Sequence, residues 1–197
     1  MAGMKKATLP GVLFTIAFAA FMGCAVHFLF FPKLFSGPGD IAGNHKQVLK
    51  RLGRISEAQT AYWEYIRKET GRGRFARFYA HLWIHVDDAG RRHPLNLIDR
   101  RTALAMTREN AVDGYYFIDL LRRHRKHGNT TIPVDHEREW MVAAFPVRLN
   151  ETGTCTFLAD QSGGIFAKKL PRPPGTGPAD PTAAGWTLLS DGVPPFP

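Results

Sequence analysis

Residues 44–68 read NHKQVLKRLGRISEAQTAYWEYIRK, and their apolar positions follow the period of an α-helix. The side chains spaced three or four apart are Val48, Leu52, Ile55, Gln59, Tyr62 and Ile66. Asn44 has the side chain of an N-cap, and Gly71 and Gly73 are suitable stops. Because a helix with one apolar stripe needs a surface to lie on, we expect a second layer from the rest of the chain.

Four segments that follow this helix have the composition of β-strands, with many aromatic and β-branched residues. They are residues 111–121, 140–147, 154–159 and 165–170. Residues 150–153 and 160–164 have the composition of short hairpin loops. The pattern predicts an α+β domain over residues 44–170, with the amphipathic helix packed on a small antiparallel sheet. Residues 78–86 fit either a strand or a short helix.

The segment before the helix carries no lysine, arginine, aspartate or glutamate over residues 7–32, ATLPGVLFTIAFAAFMGCAVHFLFFP. A helix of about 20 such residues, rising about 1.5 Å per residue, crosses a hydrocarbon core of about 30 Å. A water-soluble helix would have a polar face, which this segment lacks. We therefore predict a transmembrane helix over residues 7–35, between a cytoplasmic N-terminus at residues 1–6 and a linker at residues 36–43.

Two alternatives involve cleavage of this segment. Residues 1–6, followed by Ala19 and Ala20, resemble a signal peptide, and Gly23 before Cys24 resembles the cleavage site of a lipoprotein. The apolar run continues beyond both sites, which favours an uncleaved anchor.

The charges that flank the segment predict its orientation. Lys5 and Lys6 precede the apolar run, whereas only Lys33 follows it closely. Since positive residues favour the cytoplasmic side, the protein should be single-pass in the cell membrane, with its domain in the periplasm or outside the cell. Cys24 then lies at membrane depth and cannot pair with Cys155, which we expect to be buried as a small apolar residue.

Residues 171–197 form a proline-rich C-terminal tail with eight of the chain's fourteen prolines. This composition predicts an extended and mobile segment. Its apolar side chains Trp186, Leu188 and Leu189 are the points at which it could dock on the domain.

Several short motifs occur in an order that is typical of one family. They are Ile55, Ala58, Gln59 and Tyr62 as I-x-x-A-Q-x-x-Y, residues 97–99 with 103–105, Asp113 to Phe117 as a GYxF strand, residues 143–146 with Gly153, and residues 157–165. Their order over residues 41–167 resembles that of type IV pilins and the pseudopilins of type II secretion systems. The resemblance implies a pilin-like head and a structural or interaction role, with protein partners in an envelope assembly.

The N-terminal segment differs from this family. Aligning Thr8 and Leu9 with the family's T-L pair puts Lys6 where the prepilin glycine is expected, and Gly11 where the family has a glutamate. The resemblance implies that this glutamate pairs with a neighbouring subunit during assembly. We therefore interpret the chain as a pilin-like head on a permanent membrane stalk.

Two groups of titratable residues could carry chemistry. His81 and His85 stand four apart, with Asp87 and Asp88 close behind, which on a helix would suit a metal ion. Residues 135–139, DHERE, could hold an acid–base pair. No nucleophile motif, phosphate loop or cofactor fingerprint accompanies either group. We therefore predict a non-enzymatic protein without a metal or cofactor, and a charged loop at residues 135–139.

The net charge of +9 indicates attraction to polyanions. The basic residues fall in two main clusters: Arg67, Lys68, Arg72, Arg74 and Arg77, and then Arg122, Arg123, Arg125 and Lys126. Phe75, Phe78 and Tyr79 are interleaved with the first cluster and could stack on exposed bases. Lys168 and Lys169 form a third, smaller cluster. The alternative function is thus a binding module that captures DNA or another polyanion, while solvated cations or contact with lipid headgroups would explain the same charges.

Overall fold

The computed structural model of the chain describes residues 40–126 and 130–189. The predicted transmembrane helix at residues 7–35, the N-terminus before it and the two alternative cleavage sites lie outside this range. Among the helices of the described range, none is both long enough and apolar enough to cross a membrane.

The described elements, in chain order, are helix α1 (Ile41–Thr70), a 3₁₀ helix (Tyr79–Leu82), β1 (Ile84–Val86), β2 (Arg92–Pro94), helix α2 (Arg100–Leu104), β3 (Tyr115–Asp119), β4 (Arg122–His124), β5 (Thr131–Pro133), β6 (Met141–Pro146), β7 (Thr156–Asp160), β8 (Ile165–Lys168) and β9 (Thr187–Leu188). Strands β3, β6, β7, β8 and β9 form one antiparallel sheet in that order. Strands β1 and β2 pair separately, as do β4 and β5. The predicted α+β architecture, a helix packed on a small antiparallel sheet, is confirmed.

Helix α1 begins at Ile41 because Asp40, rather than the predicted Asn44, is the N-cap. The Asp40 carboxylate accepts a hydrogen bond from the backbone N–H of Gly43 at 2.9 Å. Asn44 lies inside the helix, where its side-chain amide donates to the carbonyl of Thr152 at 3.0 Å. A residue predicted to start the helix therefore ties it to the loop between β6 and β7.

The predicted apolar stripe of α1 is buried. The predicted end of the helix is confirmed at Gly71, which has a φ of 79°. The buried stripe residues are Val48, Leu52, Ile55, Gln59, Tyr62 and Ile66, joined by His45, Leu49 and Ala58. The members other than His45 and Gln59 share one core with Phe117 on β3 and Phe157 on β7. Each fully buried aliphatic or aromatic side chain in such a core contributes about 1.5–3 kcal/mol.

The central strands of the sheet are buried on both faces. Val142 and Phe157 belong to the core under α1, whereas Met141 and Leu158 belong to a second core on the other face. This two-sided burial explains why β6 and β7 are buried at every position instead of at alternate ones.

The second core is covered by the C-terminal segment 171–186, which we call the strap. Its Gly177 accepts from the backbone N–H of His124 at 2.9 Å and donates to the carbonyl of Arg122 at 2.8 Å. The predicted docking of the tail at Trp186 is confirmed, because this side chain is 6% exposed and belongs to the second core. Leu188 instead stays 55% exposed while its backbone pairs with β8.

Arg51 connects α1 to the chain that leads into β3. Its guanidinium donates to the carboxylates of Asp113 at 2.7 Å and Asp99 at 3.0 Å, and to the hydroxyl of Thr102 at 2.6 Å. Asp99 is also the N-cap of α2, since its carboxylate accepts from the Thr102 N–H at 3.0 Å. One half-buried cation thus fixes helix α2 and the start of the sheet relative to α1.

Candidate functional site

The first basic cluster lies at the end of α1 and in the loop that follows it. Arg67 pairs with Glu64 at 2.8 Å, and its guanidinium lies 5.2 Å from the ring centre of Trp63. Arg77 lies over the ring of Phe78 at 5.5 Å. All five cations of the first basic cluster are exposed: Arg67, Lys68, Arg72, Arg74 and Arg77. Of the three aromatic residues predicted to stack on bases, Tyr79 was predicted wrongly because it is fully buried, and Phe75 packs against the core. The rings that lie beside the cations are those of Phe78 and Trp63.

This loop is held firmly against the helix. The side-chain amide of Gln59 donates to the carbonyl of Ala76 at 3.1 Å and accepts from its N–H at 2.8 Å. Gly73 lies directly against the ring of Trp63, so that an added Cβ would collide with the indole. Arg74, which lies between Gly73 and Ala76, therefore projects from a fixed backbone.

The second basic cluster is divided between structural and exposed residues. Arg123 forms an ion pair with Glu139 at 2.8 Å, and the two side chains are only 25% and 14% exposed. Arg122 donates to the side chain and the carbonyl of Thr131, at 3.1 and 3.0 Å. Arg125 and Lys126 lie beyond β4 and are exposed. The cluster therefore presents fewer cations to a ligand than its sequence suggests.

An acidic turn at residues 135–139 lies between the two basic clusters. The backbone N–H of Phe75 donates to the carbonyl of His136 at 2.7 Å, and the Glu139 carboxylate pairs with Arg123 at 2.8 Å. The turn thus contacts both basic segments, and it carries Asp135, Glu137 and Glu139. These carboxylates interrupt the positive surface between the clusters.

The predicted charged loop at residues 135–139 is confirmed as a turn between β5 and β6. The Asp135 carboxylate accepts from the Glu137 N–H at 3.1 Å, and the Glu139 carboxylate accepts from the Asp135 N–H at 3.1 Å. Burial lowers the pKa of His136, and the charge of Arg77 lowers it further. The acidic groups proposed for acid–base chemistry therefore stabilise the turn.

Residues 78–86 contain both structures that their sequence allowed. His81 lies in the 3₁₀ helix and His85 on β1, so the two do not share the face of an α-helix. Their ring centres are 6.5 Å apart, and His93 on β2 lies 5.9 Å from His85. The Tyr62 hydroxyl and His85 Nδ1 share a buried hydrogen bond of 2.9 Å. The sequence did not reveal His93, because only the pairing of β1 with β2 brings it close.

Burial and neighbouring charge both disfavour protonation of His81 and His85. Burial lowers the pKa values of His81 and His85, and the Arg74 guanidinium acts in the same direction. Asp87, the other candidate ligand, accepts from His93 Nε2 at 3.1 Å and pairs with Arg91 at 2.7 Å. Across residues 40–126 and 130–189, no three histidine, cysteine or acidic side chains are arranged to hold a metal ion.

Asp119, at the end of β3, is a titratable group that the sequence did not single out. Its carboxylate accepts from the backbone N–H of Tyr79 at 2.9 Å, at the first residue of the 3₁₀ helix. Burial raises the pKa of Asp119 to about 7. Cys155, by contrast, is fully buried as predicted, and burial raises the pKa of its thiol to about 11.

A cleft of about 710 Å³ lies between the β4–β5 hairpin and the strap. The side chains that define its character are Arg125, Lys126, Leu170, Arg172, Asp180 and Trp186. No local sequence pattern indicates this cleft, because its two walls are about 50 residues apart in the chain and meet only where the strap folds back.

A comparison of this chain with models of protein families, with curated proteins and with solved structures found no match.

Proposed function

We propose that this protein is a membrane-anchored, non-enzymatic structural or interaction protein with a head like that of type IV pilins and type II secretion pseudopilins. Its setting would be an envelope assembly of that kind, with the lipid bilayer and neighbouring proteins as its partners. The observation that carries the proposal is the 30-residue helix α1, which lies with one buried face on an antiparallel sheet. In the sequence this helix closely follows the uncharged segment at residues 7–32.

The order of the elements supports this proposal. An anchor segment, a long helix and then an antiparallel sheet are the parts that a pilin-like head needs, and the helix and sheet are joined by one continuous core. Residues that carry the resemblance have defined roles in that core. Gln59 fixes the loop after the helix, and Tyr62 holds His85.

Buried or half-buried titratable side chains form structural contacts within the domain, which supports a role in interaction rather than in catalysis. Asp119 caps a short helix, Glu139 pairs with Arg123, and His85 bonds to Tyr62. The outer face of α1, in contrast, carries the exposed pair of Arg54 and Glu57, which are 69% and 71% exposed. A neighbouring subunit could contact this face without disturbing the core.

Fractionation and crosslinking of the full chain test the proposal. A photo-crosslinking residue at Arg54 should trap discrete protein neighbours in intact membranes, whereas the same residue at buried Leu52 should trap none. Mass spectrometry of the mature chain should find the uncharged segment still attached. Recovery of the full chain in the soluble fraction without detergent, or a mature chain that starts at or after Cys24, would refute the anchored head.

A second candidate function, the capture of DNA or another polyanion, is favoured by the exposed first basic cluster beside Trp63 and Phe78. Binding of a single-stranded oligonucleotide should then weaken steeply as salt increases. Changing Arg72, Arg74 and Arg77 together to alanine should abolish it.

The matched control removes three cations from another surface, by changing Lys46, Lys50 and Arg54 to alanine. Equal loss in both triple variants would show that the binding reflects net charge alone, and oligonucleotide binding that ignores salt would eliminate this function.

A further inference from the structure

We propose that the cleft between the β4–β5 hairpin and the strap binds a soluble amphipathic anion, a phosphate or carboxylate group attached to a small apolar body. This site is separate from the outer face of α1 and from the first basic cluster. It does not depend on the function proposed above.

The size of the cleft suits a small molecule. Its volume of about 710 Å³ lies within the range of roughly 300–1,000 Å³ that is typical of small-molecule sites. Its floor is built from apolar side chains, since Leu170 and Trp186 both pack on the second core. Proline rings of the strap line the remaining wall. An apolar body placed here would contact these side chains on the floor and along one wall of an open cleft.

The charge of the cleft selects the sign of the ligand. Among the described residues that line it, three are cations, Arg125, Lys126 and Arg172, and one is a carboxylate, Asp180. The Asp180 carboxylate accepts from the backbone N–H of Ala183 at 3.1 Å and so stabilises a turn of the strap. Guanidinium groups bind phosphate and carboxylate through paired, charge-assisted hydrogen bonds. The complement of this lining is an anion with an apolar part.

The walls of the cleft are fixed by the fold. Gly177 bonds to Arg122 and His124 along one edge of β4, and an added Cβ on Gly177 would meet the sulfur of Met141. The Lys168 ammonium donates to the carbonyl of Ala184 at 2.5 Å. Because the strap is attached at these points, the cleft needs little reorganisation to accept a ligand.

Calorimetry with 1-naphthyl phosphate as the probe tests the proposal. The full chain is placed in nanodiscs of neutral phosphatidylcholine, and the heat of binding to empty nanodiscs is subtracted. We expect saturable binding of naphthyl phosphate and at least about tenfold weaker binding of inorganic phosphate or 1-naphthol, since each lacks one half of the recognition. Equal affinity for inorganic phosphate would mean an adventitious ion only and would overturn the proposal.

Two variants locate the site. Changing Arg125 and Arg172 together to glutamine should weaken binding of naphthyl phosphate by about tenfold or more. The control, with Lys46 and Lys50 both changed to glutamine on α1, should stay within about twofold. Similar losses in both variants would overturn the assignment to the cleft.

A spectroscopic measurement on the unmodified chain tests the site even if the cleft variant folds poorly. In the unmodified chain, naphthyl phosphate should shift the indole N–H resonance of Trp186 and leave those of Trp63, Trp83 and Trp140 in place. An unmoved Trp186 resonance at saturation would refute the site. If phosphatidylglycerol in the nanodisc displaced the probe, the occupant would be a lipid headgroup and the soluble ligand would be refuted.

Discussion

The side-chain amide of Gln59 and the backbone of Ala76 exchange two hydrogen bonds in the middle of an otherwise apolar helix face. The side-chain amide of Gln59 thereby satisfies both backbone polar groups of Ala76, as a neighbouring β-strand would. Both residues are buried, with exposures of 0% and 2%. A polar side chain in the stripe is thus what attaches the basic loop to the core.

Replacing Gln59 with leucine should destabilise the protein by about 2–4 kcal/mol, because it strands a buried N–H and a buried carbonyl at Ala76. Urea unfolding of the full chain, followed by tryptophan fluorescence, measures this loss. Gln47, which is exposed on the same helix, provides the control, and its change to leucine should cost less than about 0.5 kcal/mol. Equal effects at the two positions would contradict the role of Gln59.

Changing Gly153 to alanine should destabilise the domain by about 1–3 kcal/mol, since the new Cβ would collide with the phenol ring of Tyr115. That ring is buried and its hydroxyl donates to the carbonyl of Cys155 at 3.0 Å, so it cannot move aside freely. Thermal unfolding monitored by near-ultraviolet circular dichroism detects the change. Gly175, around which an added Cβ meets nothing within 4 Å, should tolerate alanine without loss.

Changing Asp119 to asparagine should remove a pH-dependent loss of stability. The folded pKa of Asp119 is about 7, above the value of about 3.9 for an unfolded aspartate. Between these values the folded state holds the proton and the unfolded state does not, so stability falls as pH rises through this window. Asparagine keeps an acceptor for the Tyr79 N–H. Its stability relative to the unmodified chain should therefore rise by about 1–3 kcal/mol between about pH 5 and about pH 7.

The stability of the Asp119→Asn variant must be compared with that of the unmodified chain, because the histidines change stability with pH in the opposite direction. Burial lowers the pKa values of His45, His81, His85 and His136. These groups favour unfolding as pH falls below about 6.5, where they gain protons more readily in the unfolded chain. Subtracting the two stability profiles cancels this contribution, and a flat difference would show that Asp119 does not titrate in the window.

Changing Arg51 to methionine should cost about 2–3 kcal/mol, because it leaves the half-buried carboxylate of Asp113 without its cation and takes a hydrogen bond from Thr102, whose hydroxyl keeps its bond to Asp99. The control is Arg54, three positions along α1, whose exposed pair with Glu57 should be worth at most about 0.5 kcal/mol. Urea unfolding of the two methionine variants compares these losses directly. Similar losses would show that the network adds nothing beyond an ordinary surface pair.

The sequence was sufficient to predict the layers of the domain, because each has a regular hydrophobic pattern. The stripe from Val48 to Ile66 and the four long strands lie where the pattern placed them. The predicted start of α1 at Asn44 was wrong, because Asn44 and Asp40 both have side chains suited to an N-cap. In the folded protein Asn44 instead contacts Thr152. Such a contact spans over a hundred residues and leaves no local signal.

The candidate sites were less predictable for the same reason. Arg123 appeared equivalent to Arg125 in sequence, but only the fold reveals that Glu139 neutralises the first of them. The acidic turn between the basic clusters, the approach of His93 to His85 and the burial of Asp119 all depend on tertiary packing. The prediction of a mobile tail rested on its proline content. Composition alone does not reveal that Trp186 packs into the second core.

Because helix and strap leave neither side of the central strands bare, a neighbouring molecule has no flat pleated surface to lie against. Within the described residues, the surfaces left for recognition are the outward flank of α1, the strap, the edge strands β3 and β9, the two hairpins and the connecting loops. Exposed residues in those places can change without cost to the interior, whereas Gly177 and Trp186 of the strap cannot. The exposed residues that choose a partner can therefore evolve separately from the residues that maintain the fold.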